Sequence, residues 1–183
     1  MKTKTKNLKT LKKVTPEILK MLHSRFEYNA ELGRLISKIT TNFGRSNSNT
    51  EGEIVKGYVD KLNGYRAITF FPYRLKEHRL IFLMCHGFLP ELLDHIDGNK
   101  LNNRIENLRS CTKNQNQQNS KCRVTNSTQF KGVSLVKNTG RYRGEVKVNK
   151  KRYVTKTYKT LSECVLHTRV LRENLHGEFC NHG

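Results

Sequence analysis

Between Leu92 and Ser120 the chain reads LLDHIDGNKLNNRIENLRSCTKNQNQQNS, which gathers carboxylates, a histidine and a run of asparagines into 29 residues. The carboxylate of Asp94 and the amide oxygen of Asn116 are hard donors of the kind Mg²⁺ accepts. That ion commonly takes only one or two protein groups and completes its octahedron with water and phosphate oxygens. A histidine beside such an ion, here His95, can take the proton of an attacking water while the ion stabilises charge on the phosphate and the leaving oxygen. The chemistry these residues suit is therefore metal-assisted hydrolysis of a phosphodiester. Taken singly, each has an ordinary explanation: a lone histidine in a loop is usually a surface residue, and an asparagine run is usually turn or solvated helix. Their joint occurrence with a turn and a helix cap carries the reading.

The elements that must position these groups follow from the same stretch. Leu92 and Leu93 read as the end of a buried strand, so Asp94 and His95 stand at a strand end, just before an Asp97-Gly98-Asn99 turn. Neighbours in a regular strand point to opposite faces, and the two can share a site only if the chain bends there, which the turn permits. Leu101 to Leu108 reads as a second short extended or turn segment. Thr112 and Gln115 then have the T-x-x-Q spacing of a capping box and predict a helix carrying Asn116. The result is a ββα unit.

At this point D-H-I-D-G-N-x-L-N-N-R-I-E-N-L-R followed by T-x-N-x-N resembles the HNH endonucleases of phages and group I introns. The resemblance implies that His95 is the general base, that Asn107 is the middle asparagine bracing the loop that orients it, and that Asn116 is a metal ligand beside Asp94. The motif thus reads H-N-N, with asparagine in the third position as in the intron-type branch. This oxygen-rich donor set points to one Mg²⁺ or Mn²⁺ per active site and away from a soft-metal site such as zinc. His78-Arg79 resembles the H-R-L that precedes this motif, which makes Arg79 a candidate phosphate contact, with a structural ion pair as the other reading.

Composition bounds the rest. The 183 residues carry 35 Lys+Arg against 15 Asp+Glu, a formal net charge of +20, which is the footprint of a polyanion-binding protein. A 35% apolar content and a mean hydropathy of -0.72 allow only modest cores, hence small modules. No long apolar run or basic amphipathic helix speaks for a membrane. Five cysteines (Cys85, Cys111, Cys122, Cys164, Cys180), without any C-x-x-C pair, argue against a disulfide framework and a structural zinc. The N-terminal MKTKTKNLKTLKK lacks the apolar segment of a signal peptide, so residues 1–14 read as a basic flexible tail and the protein as cytoplasmic, in the host cell if phage-encoded.

Thr15-Pro16-Glu17 opens a helix expected to run to about Tyr28, with Ile18, Leu19, Leu22 and Phe26 as its apolar stripe. Gly33 to Ile39 reads as a strand and Thr41 to Glu51 as an exposed loop. Ile54 to Val59 and Tyr65 to Phe71 form a hairpin around Asn63-Gly64, and Glu77 to His86 a helix closed by Gly87. After a 121–128 connection comes a module with 14 Lys+Arg against 4 Asp+Glu between Lys121 and Gly183. Gln129–Val136, Arg141–Val148 and Arg152–Tyr158 read as three strands. In the second, Tyr142, Gly144, Val146 and Val148 alternate with Arg141, Arg143, Glu145 and Lys147. Thr160 and Glu163 cap a helix bearing Leu161, Cys164, Val165, Leu171 and Leu175, which should cover the apolar face.

With F-K-G-V, R-Y-R-G-E-V-K-V and a terminal L-H-G-E-F, residues 129–183 resemble the ethylene-response-factor (APETALA-type) DNA-binding domain. The resemblance implies a sheet lying in the major groove, with Lys131, Glu145, Lys147 and Arg152 at the contacting positions; Arg141 and Arg143 join them on geometry alone. The sequence thus predicts an α+β chain. A small mixed N-terminal region leads into the ββα-metal unit at about 90–120, within a nuclease domain of 15–120, and a three-stranded antiparallel sheet packed on one helix follows. Double-stranded DNA is the expected partner and a monomer the expected state, with a dimer open. A non-catalytic, sequence-specific DNA-binding protein is the principal alternative. An RNA-binding protein is a second one, disfavoured by the few stacking aromatics on the sheet.

Overall fold

A computed structural model of the chain describes residues 6–7, 14–41, 48–70, 73–120, 122 and 126–183. Most of the basic tail, part of the 41–51 loop, Phe71 of the hairpin and half of the 121–128 connection lie outside them. The chain divides into two units, Met1–Ser110 and Cys111–Gly183, each described by itself.

In the first unit, helix α1 (Pro16–Arg25) starts as predicted, with Thr15 extended at the N-cap and proline at its head. It stops short of Tyr28. Phe26 is already extended, and β2 (Phe26–Asn29) pairs antiparallel with β3 (Arg34–Ser37), Phe26 opposite Ser37 and Asn29 opposite Arg34. The apolar Phe26 and Tyr28 fit a strand's alternation as well as a helix's stripe, and cross-strand pairing decides. The hairpin turn is closed by Asn29 Oδ1, which accepts the Leu32 N–H at 2.9 Å, and by Gly33 at a φ of 61°.

A four-stranded sheet has the order β1 (Lys6–Asn7), β6 (Tyr73–Lys76), β5 (Arg66–Phe70), β4 (Tyr58–Val59), with β1 parallel to β6 and the rest antiparallel. The predicted hairpin forms, but its first strand is short because Ile54 and Val55 pair instead with Ile36 and Leu35 of β3. Strands β6 and β1 have no counterpart in the sequence reading. Helix α2 (Glu77–His86) matches it end to end: Leu80, Ile81, Leu83 and Met84 are buried, and Gly87 terminates it at a φ of 74°. These residues join Leu22, Phe26, Leu35, Val55, Ile68, Leu75, Leu93 and Leu108 in one core.

Strand β7 (Leu92–His95) pairs with β8 (Leu108–Cys111), and a single 3-10 turn, Ile105–Asn107, precedes β8. Helix α3 (Lys113–Gln118) follows in sequence with the predicted capping box: Thr112 Oγ1 accepts the Gln115 N–H at 3.3 Å and Gln115 Oε1 accepts the Thr112 N–H at 2.8 Å. Strand, strand and helix in this order fit a ββα-metal motif.

The second unit carries β9 (Val133–Val136), β10 (Arg141–Val148) and β11 (Lys151–Tyr158) in an antiparallel sheet of order β11-β10-β9. The first strand is shorter than expected because Gln129 and Gly132 have φ of 60° and 71° and spend 129–132 on turns. Asn149 and Lys150, both at positive φ, make the β10–β11 turn. Helix α4 (Leu161–His176) lies on one face of the sheet, burying Cys164, Thr168 and Arg172, one turn apart, over β10. Gly144 makes the close approach possible: a Cβ there would collide with the Thr168 hydroxyl. The described residues thus form a mixed α+β protein with four helices and several small sheets. None of these helices is long and apolar enough to cross a membrane.

Candidate active site

His95 ends β7 and is 4% exposed, enclosed by rings on two sides: the His78 ring meets it edge-on at 5.0 Å and Tyr65 lies at 5.9 Å. Burial holds its imidazole below the ordinary histidine value, against the opposing pull of Asn103, Asp97 and Asp94. The ring is therefore neutral near pH 7 and able to accept a proton. His78 is held well below the ordinary value, first by burial and then by His95, Lys76 and Arg79.

His95 Nε2 lies 3.1 Å from Asn103 Oδ1, and Asn103 Nδ2 donates to Glu77 Oε2 at 3.1 Å. Glu77, on the first turn of α2, also accepts from Arg34 Nε at 2.9 Å and the Leu35 N–H at 3.3 Å, and Arg66 Nε lies 3.4 Å away. Glu77 and Asn103 were given no role from the sequence, and His78 only its place in the H-R-L string. Their contacts span 8 to 43 residues, and no local spacing announces them; a buried acid at a helix start ahead of H-R-L was the one available signal.

Asp94 is buried too, and its Oδ2 accepts from Arg109 Nε and Nη2 at 3.1 and 3.0 Å across the β7–β8 pair. Arg109 was likewise missed. Asn107 ties down the loop after His95: its Oδ1 accepts the Asp97 N–H at 3.0 Å, and its Nδ2 donates to Asp97 Oδ1 at 2.9 Å and to the Asn102 carbonyl at 2.8 Å. Burial pushes the Asp97 carboxyl up, but bonds from Asn102, Asn107 and the Asn99 amide outweigh it and hold the group below its usual value. Asn116 sits exposed on α3, in the second unit. A carboxylate and an amide oxygen are the donor chemistry a hard divalent ion takes. Among the described residues, no cluster of three or more His, Cys, Asp or Glu could hold a metal.

The other predicted contacts divide. Among the described residues, Arg79 makes no ion pair with a carboxylate. Its terminal nitrogens donate to the carbonyls of Pro90 and Glu91 at 3.0 and 3.2 Å, so it fastens the loop leading into β7. Lys131 precedes β9 and is half-buried, with Nζ donating to the carbonyls of Gln118, Ser120 and Asn181; burial, with Arg172 adding to it, lowers its pKa to about 8. The three carbonyls, all within its own unit, take the ammonium's three protons, so Lys131 serves here as an internal tie. On the open sheet face, Arg141 is exposed and Arg143 half-exposed. Glu145 pairs with Lys147 at 3.4 Å and with Arg152, whose strand neighbour is Lys147. Glu145 therefore orients two cations. All five cysteines are free thiols.

A family model described as HNH endonuclease matches residues 76–118, which run from just before α2 to the end of α3. Protein 3.8 of Escherichia phage T7 is 32% identical over 106 residues, 57% of this chain and 87% of that protein. An uncharacterized HNH endonuclease of Acanthamoeba polyphaga mimivirus is 32% identical over 127 residues, 68% of this chain and 64% of that one. No solved structure matches the chain. These matches, over a strand that ends in a buried histidine preceded by a buried aspartate, define the class, a DNA-cleaving hydrolase. The chain belongs to the HNH endonuclease family.

Proposed function

We propose that the protein is a metal-dependent, homing-type endonuclease of double-stranded DNA in which His95 is the general base, Asp94 and Asn116 hold the ion, and Asn107 braces the loop. The observation that carries this is the buried His95, its pKa held down by burial, next in strand β7 to the buried Asp94. When bound, a divalent ion such as Mg²⁺ supplies charge stabilisation at the scissile phosphate and its leaving oxygen. The imidazole of His95 takes a proton from water, whose oxygen attacks phosphorus as the bond to the 3′ oxygen breaks; that oxygen takes a proton from solvent water, leaving a 5′-phosphate and a 3′-hydroxyl. Arg109 holds Asp94 in place. A single site of this kind cuts one strand per visit and works in a monomer.

The second unit delivers the nuclease to DNA through the ethylene-response-factor-like sheet, with Arg141, Arg143, Lys147 and Arg152 on phosphates and base edges. The support is a net charge of +10 over residues 121–183 and an open face whose one acid is already paired with two of these cations. The test is cleavage of supercoiled plasmid with Mg²⁺, Mn²⁺ or EDTA. Metal-dependent nicking that falls by about 10² to 10⁴ in His95→Ala is expected. DNA binding without cleavage, on plasmid and on the source genome alike, would leave the non-catalytic DNA-binding protein as the reading.

A further inference from the structure

We propose that Glu77 and Asn103 are positioning residues that fix which ring nitrogen of His95 carries the lone pair, an inference that rests on His95 being the base. Each step follows from which atoms can donate. The Glu77 side chain is fully buried between the Arg34 and Arg66 guanidinium groups and accepts the Leu35 N–H as well. A carboxylate so placed only accepts. The side of Asn103 that faces it must therefore be the NH₂ group, as the 3.1 Å contact from Nδ2 to Glu77 Oε2 has it. The amide oxygen then faces His95, 3.1 Å from Nε2, and an amide oxygen also only accepts. Nε2 must carry its proton, which makes Nδ1 the nitrogen with the lone pair in the neutral ring.

Turning the Asn103 amide over would set its oxygen against the Glu77 carboxylate and move the imidazole proton to Nδ1. The buried anion forbids it. Asn103 is itself only 1% exposed and cannot find water as another partner. The anchor is assembled from three parts of the unit: Glu77 on the first turn of α2, Arg34 and Leu35 on β3, and Arg66 on β5. Two of these, β3 and β5, lie outside the residues matched by the family model.

The first arm of the test, the tautomer itself, needs neither DNA nor metal. Full-length protein labelled with nitrogen-15 at histidine, in EDTA at about pH 8, gives a long-range proton–nitrogen correlation spectrum in which the two tautomers of a neutral imidazole have different patterns; the His95 signals are those lost in His95→Ala. The expected result is the Nε2–H pattern. An Nδ1–H pattern in the wild type overturns the proposal without any variant of Glu77. In Glu77→Gln both orientations of the chain of amides can be satisfied. The expected outcome is a mixture of tautomers, with kcat for plasmid cleavage lowered about ten- to a hundredfold and KM held within about twofold. Glu77→Asp, still acceptor-only, should restore the Nε2–H pattern. A folded Glu77→Gln protein with a single Nε2–H pattern and unchanged kcat overturns the positioning role. An Nε2–H wild type that cleaves nothing would sink the nuclease reading and leave this assignment standing.

Discussion

His95 owes its neutrality to enclosure, and the same enclosure makes unit 1 sensitive to acid. Burial holds His78 well below 6.5 and His95 below it. Under 6.5 the unfolded chain binds protons that the folded one refuses, so stability rises with pH up to that value and is lost as pH falls below it. The urea midpoint should drop between about pH 7 and pH 5, and less steeply in His78→Gln; identical slopes would show that His78 titrates alike in both states. Asn107→Ala removes three bonds that hold residues 97–102. A loss of about 1–3 kcal/mol in urea unfolding, together with slower plasmid cleavage, is the expected result. Legibility at this scale was a matter of distance along the chain. Asp94, His95, Asn107 and Asn116 stand out because one short string holds them all. Glu77, Asn103 and Arg109 do not, because their meaning depends on partners brought together by folding, and in the sequence each is one more acid, amide or cation.

Elements were legible where local chemistry alone closes them. The boundaries of α2, α3 and α4 follow from Gly87, the Thr112–Gln115 box and Thr160, and the alternation of Arg141–Val148 survives intact in β10. Where pairing with distant segments decides, the reading failed: α1 yields to β2 at Phe26, and β6 exists because β5 and β1 flank it. Gly33 shows how an element reaches the site. A Cβ there would stand 2.7 Å from the Arg104 backbone nitrogen, and its φ of 61° disfavours any side chain. Gly33→Ala should therefore destabilise unit 1 by about 1–3 kcal/mol and, by pushing on the residue next to Asn103, slow cleavage as well. Denaturation and plasmid assays on the same variant check both parts.

For the whole molecule, a net charge of +20 makes DNA affinity a matter of salt. Binding to duplex of any sequence should weaken steeply as salt rises, and Arg141→Ala should lower the slope of log K against log salt by about one whatever the sequence. Filter or anisotropy titrations at several salt concentrations measure it, and an unchanged slope would remove Arg141 from the phosphate contacts. The β10–β11 turn shows the same pressure from another side. Lys150 holds a φ of 68°, where glycine would sit without strain. Lys150→Gly should therefore stabilise the second unit by up to about 1 kcal/mol while giving up a positive charge at a loop tip. An engineer selecting for heat resistance alone would take that substitution and obtain a sturdier protein that holds its polymer less well.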